Sequence, residues 1–291
     1  MTVENPVSYE ARVRPRYAAV AGLAGILLLA SSALQAVGPQ TKVDEVTVQL
    51  IVTSKRGALE IAGEAISALG VLGLAGTLLF LFGASRVRKP EIAPWLRICA
   101  IAGAGLAAIG GIAYGVAITI KAHEFVTHGT QTYPQADSLL SSPVIGVLQY
   151  AGLFGSLLLA IAFVLITLNA MRVGLLTKFL GYLGMTAAAA SLLLIGSAPA
   201  LLIEVFWLFA VAYLLAGRWP NGEPPAWSTG NAEPWPSAAE MREQRQRAIS
   251  ARNGRSQTQP KPAPTPAREP VGAATQGSRA TTPKRKRKRR K

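Results

Sequence analysis

Five ionisable side chains sit in or at the edge of long apolar stretches of this sequence: Glu60, Glu64, His123, Glu124 and Glu204. A charge inside an apolar span is costly, so each is a candidate functional residue. Glu60 and Glu64 are four apart and share one face of a helix. Glu64 and Glu204 lie about a turn deeper in their apolar runs than the others. The candidate site is therefore Glu64 and Glu204 with Glu60 and His123, forming a shallow polar pocket for a cation or a proton. The competing reading is structural, because carboxylates in a helix's first turns are favoured by its macrodipole. For Glu60 and Glu124 that reading is the stronger.

Other chemistry is not legible. His123 and His128 are five apart, which does not set both rings on one helix face, and their spacing matches no zinc motif. Cys99 is the only cysteine and lies in an apolar run, where it reads as a small buried hydrophobe. No phosphate loop, nucleophile triad or dinucleotide fingerprint occurs, so no catalytic, metal or cofactor residue is assigned. The sequence leans away from an enzyme.

The elements that must position these residues are apolar. The chain has 291 residues, of which 50% are hydrophobic and only 15% charged. Six runs approach or exceed the roughly 20 residues needed to cross a bilayer: about 17–37, 61–84, 95–120, 144–168, 179–196 and 200–216. The last two are separated by Ser197, Ala198 and Pro199, which reads as a tight hairpin with Pro199 in the first turn of the next helix. The expected fold is all-α: a polytopic six-helix transmembrane bundle over residues 17–218, preceded by a short cytoplasmic segment, 1–16. Residues 41–53 alternate in part like a strand, and 121–143 read as an irregular polar loop.

Loop charges orient the bundle, because Lys and Arg near span ends favour the cytoplasmic side. With the N-terminus inside, ten Lys/Arg before the tail fall inside and four outside. The C-terminus is then cytoplasmic too, in a plasma membrane, and the five candidate residues occupy the outer half. Three arginines ahead of the first run resemble a signal peptide, but the run is long and Leu34 replaces a small residue at the cleavage pattern. Small residues crowd spans two and three, with Ala107, Gly111 and Gly115 four apart. Helices in lipid associate by close contact, so these residues read as packing between spans two and three.

Beyond Arg218 the composition changes. Residues 1–218 hold 14 Lys/Arg against 10 Asp/Glu, giving +4, whereas 219–291 hold 16 against 5, giving +11. The expected tail, 219–291, opens with Trp219, Trp227 and Trp235 among prolines, which suit a membrane surface. A short helix is expected at about 237–252, with Ser237 and Glu240 as a capping box and Glu243 four before Arg247. The remainder is too polar to fold and is expected to be disordered. It ends in an unbroken basic run: Lys284, Arg285, Lys286, Arg287, Lys288, Arg289, Arg290 and Lys291. This is a candidate contact for anionic lipid headgroups or for RNA and the ribosome, with no aromatics to stack bases.

The spans and the stretch NAMRVGLLTKFLGYLGM at 169–185 resemble multi-pass membrane proteins of actinobacteria, a resemblance that implies no activity. Three functions remain. The first is a non-enzymatic scaffold or binding module in the lipid bilayer with a polybasic tail. The second is a small cation- or proton-coupled carrier using Glu64 and Glu204. The third is a ribosome-tethered membrane biogenesis factor.

Overall fold

The computed structural model describes residues 6–36, 46–128, 130–194, 197–220 and 222–235, and single positions between 240 and 250. Among these residues the chain is helical, with no strand. The helices are α1 (Pro6–Ala36), α2 (Val46–Arg88), α3 (Trp95–His128), α4 (Tyr133–Leu140), α5 (Pro143–Arg172), α6 (Lys178–Leu193), α7 (Ala198–Leu215) and α8 (Pro225–Thr229). Five of them, α1, α2, α3, α5 and α7, are long and apolar enough to cross a membrane. Their outward faces carry large apolar side chains, with Ile109 72% and Val147 67% exposed. A surface so apolar suits lipid and marks a multi-pass membrane protein. α6 has 16 residues, about 24 Å at 1.5 Å per residue, and falls short of that length.

Two stretches differ from the sequence reading. Residues 46–53 are helical and belong to α2, which runs for 43 residues. Their strand-like alternation is overridden by packing: Leu50, 2% exposed, joins Ala122, Phe125 and Ala136 in a small separate core. Residues 121–143 are not irregular either. α3 continues to His128, and α4 follows with a proline in its first turn. Between them Gln131, at φ 53°, gives its backbone N–H to the Gln135 side chain at 3.0 Å.

Small residues set how closely the helices approach, between α2 and α3, where a Cβ at Gly57 would stand 2.3 Å from Thr119 Cγ2, and also between α3 and α5. A Cβ at Gly103 would stand 2.5 Å from the Leu159 backbone nitrogen, and one at Gly155 2.5 Å from that of Ala107. The glycines therefore press α3 against α5. Gly70 and Gly73 do the same for α2 against α1, where added Cβ atoms would meet Leu28 and Ala24 at 2.8 Å. Trp207, fully buried on α7, ties α7 to α6 and α5. Its Nε1 donates to the Leu180 carbonyl at 3.0 Å, and its ring tilts against Phe163 at 4.6 Å. Pro199 does sit in the first turn of α7.

One end of the bundle is closed by residues expected in the tail. Met1–Pro236 forms one compact unit, so residues 219–235 belong with the helices. Trp227 of α8 is 3% exposed and donates from Nε1 to the Leu175 carbonyl at 3.0 Å. It stacks on Phe80, which stacks on Tyr17, with centroids at 5.8 and 4.3 Å. Arg14 and Arg88 lie over the Trp227 ring at 4.6 and 5.3 Å. Arg14 pairs with Glu223, and Arg88 forms a two-pronged pair with Glu10 at 2.7 and 2.8 Å. We refer to this as the arginine end.

The second unit, Ser237–Lys291, is described only in part. Glu240, Arg242, Glu243, Gln246, Arg247, Ile249 and Ser250 are helical, and Arg247 pairs with Glu243 at 2.6 Å, as the spacing predicts. Ser237 and the octamer 284–291 lie outside the described residues. Truncating a buried aromatic costs about 3–5 kcal/mol. Trp227→Ala is therefore expected to lower the melting temperature of the purified protein and to expose residues 219–235 to protease. A proteolysis pattern identical to wild type would show that Trp227 does not hold this end.

Candidate functional site

The opposite end of the bundle gathers the predicted carboxylates, and the helices place them in two cavities. In α2, Arg56, Glu60 and Glu64, at successive spacings of four, share one face, on which Arg56 meets the end of α1 and Glu64 meets α3. The three line one cavity of about 300 Å³ together with Gln49, Thr53 and Tyr114. Space for Glu64 comes from the α3 glycines. A Cβ at Gly115 would stand 2.9 Å from its Cγ, and one at Gly111 3.2 Å from its Oε2. The glycine stripe of span three thus faces span two, as expected, but it accommodates a side chain rather than closing the gap.

Glu204 lies in a second cavity of about 320 Å³, lined also by Ser31, Ser67 and Ser197. Its Oε2 accepts a hydrogen bond from Ser191 Oγ at 2.9 Å. Ser191 belongs to the last turn of α6 and Glu204 to the second turn of α7, so the hairpin between the two helices builds this contact. Gln35, in the last turn of α1, lines both cavities.

The structure thus brings Glu60 and Glu64 together and sets Glu204 apart. His123 is exposed and lines neither cavity. Glu124 pairs with Lys121 at 2.8 Å on the same exposed turn, and His128 Nδ1 meets Thr127 Oγ1 at 2.7 Å. Among the described residues no group of three or more His, Cys, Asp or Glu converges as a metal site.

Sequence reasoning counted Arg56 only as a loop charge. Its position four before Glu60 and eight before Glu64 was the available signal. Its Nη2 donates to the carbonyl oxygens of Leu34 and Gln35, both at 3.1 Å, and so satisfies the last turn of α1. Tyr114 carried no signal, because only the crossing of α2 and α3 brings it to Glu64.

Taken together, the arrangement is a membrane-protein bundle with polar cavities at one end and an ionic lock at the other. The chain matches no family model, no curated protein and no solved structure. A side-chain hydrogen bond is worth about 0.5–1.5 kcal/mol. Ser191→Ala is therefore expected to destabilise by about that amount in the wild-type background and by much less with Glu204→Leu. A double-mutant cycle on thermal melts checks this, and equal costs in both backgrounds would mean that the pair is not coupled.

Proposed function

We propose that the protein is a six-span protein of the bacterial plasma membrane, with both termini cytoplasmic, acting as a non-enzymatic scaffold for its polybasic tail. One observation carries this reading. The chain leaving α7 is locked to the arginine end through Trp227, Glu223 and the Ala226 carbonyl before the tail begins. A tail launched from a fixed point samples a defined patch of surface, whereas one continuing from a fraying helix does not. α6 serves as the sixth span. It runs antiparallel to α7: Leu180 near its start meets Trp207, and Ser191 near its end meets Glu204 near the start of α7.

The octamer 284–291 is the contact residue set, and anionic phospholipid is its partner. Each Lys or Arg close to an anionic leaflet contributes about 1 kcal/mol, and the attraction weakens as salt screens it. A second reading, a cation- or proton-coupled carrier, is favoured by the two carboxylate cavities alone.

The test uses the full-length protein in nanodiscs of neutral lipid, mixed with vesicles containing phosphatidylglycerol. Binding is expected at low salt, falling with added salt, and lost on deletion of 284–291. Unchanged vesicle binding after that deletion would overturn the lipid contact. Salt-sensitive association with ribosomes but not vesicles would move the partner to RNA. Orientation is read separately, by an alkaline phosphatase fusion after residue 218, which is expected to be inactive.

A further inference from the structure

The cavity of Glu60 and Glu64 has chemistry that the scaffold reading does not use. We propose that it binds a small organic ammonium ion, with the two carboxylates as counter-ions. Neither Glu60 nor Glu64 has a hydrogen-bond or ion-pair partner among the described residues. A carboxylate at the edge of an apolar span is held at a cost unless a cation meets it. Yet room for Glu64 is built into the backbone of α3 by Gly111 and Gly115. A cavity shaped around an uncompensated carboxylate is shaped for a ligand.

Charge selects the sign of that ligand. Among the described residues, Arg56 is the one cation lining the cavity against two carboxylates. Its guanidinium is turned to the end of α1, where Nη2 already serves two carbonyl oxygens. The lining is left one negative charge in excess, which a monocation balances.

Size and lining select the class. A space of about 300 Å³ is at the small end of organic-ligand pockets and far larger than a bare ion. Hard metal ions take six or more oxygens, so one held by these two carboxylates would need water to complete its shell. An alkylammonium, by contrast, needs acceptors for its N–H groups and apolar or aromatic surface for its carbons. Glu60, Glu64 and Thr53 supply the first; Leu50, Ile118 and the ring of Tyr114 supply the second. The buried Nε of Arg56 has no partner and leaves one donor free in the same wall.

The experiment is calorimetric titration of the detergent-solubilised full-length protein with n-butylammonium chloride, sodium butyrate and sodium chloride. Saturable millimolar binding of butylammonium is expected, with none for butyrate or sodium over the same range. Glu64→Gln is expected to weaken it at least tenfold, Glu60→Gln several-fold, and Gly115→Val to abolish it by displacing Glu64. Glu124→Gln, on the exposed turn, is expected to change nothing. Where Glu64→Gln does not fold by thermal melt, Glu60→Gln and Gly115→Val decide. Equal heats for butylammonium and butyrate, equal affinity in the folded carboxylate variants, or competition by sodium at matched concentration would each overturn the proposal.

Discussion

An N–H left unsatisfied on a buried guanidinium is costly, and Arg88 leaves none. Its Nε donates to the Ala226 carbonyl at 3.0 Å; Nη1 donates to Glu10 and to the Ala84 carbonyl at 2.8 Å; Nη2 donates to Glu10 and Ala226, both at 2.7 Å. Five donors meet acceptors from α1, α2 and α8. The side chain is 1% exposed, and that of Glu10 is 7% exposed. At such burial, losing one partner leaves a bare charge in low dielectric, which costs about 3–5 kcal/mol. The closure of the arginine end depends on this residue. The Ala226 carbonyl that Arg88 holds adjoins Trp227, which stacks on Phe80, and Arg14, paired with Glu223, lies over the same ring.

The two ends of the bundle treat charge in opposite ways. At the arginine end, Arg88 and Glu10 are paired and buried, and Arg14 stacks on Trp227 while pairing with the exposed Glu223. At the other, Glu60 and Glu64 line open space, and Glu204 has one hydroxyl as its hydrogen-bond partner. Glycine distribution follows the same division. Gly103 and Gly155 let α3 and α5 backbones touch, whereas Gly111 and Gly115, about two and three turns beyond Gly103 along α3, make space for a side chain. One helix thus uses the same residue type to close one gap and to keep another open.

The helical class and five of the spans were legible because about 20 apolar residues in a row have few other solutions. What the sequence did not disclose depended on long-range contact. Val46, Val48 and Leu50 alternate like a strand, but Leu50 meets Phe125 and Ala136 from elements far along the chain, and helix wins. Trp227 sits in a proline-rich stretch that reads as tail, and nothing local announces that Arg14, Phe80 and Leu175 converge to receive it. The carboxylates were identifiable as costly residues, but not their grouping. The helix period pairs Glu60 with Glu64, while the separation of Glu204 follows from which helices neighbour α1. Arg56 was legible in principle, since a spacing of four places it on the face of the two carboxylates.

This asymmetry bears on what the bundle can do. A carrier must expose its site to each side in turn, which requires both ends to open. At the arginine end, opening would separate Arg88 from Glu10 and from the Ala226 carbonyl while stripping the stack from Trp227. Breaking the buried pair alone costs about 3–5 kcal/mol, as much as the few kcal/mol that separate conformers in ordinary switching, and loss of the stack adds to it. A ligand held at the carboxylate end would have to bind the open state more tightly by the same margin. The arrangement therefore sets a tightly paired arginine end against an open carboxylate end within one bundle.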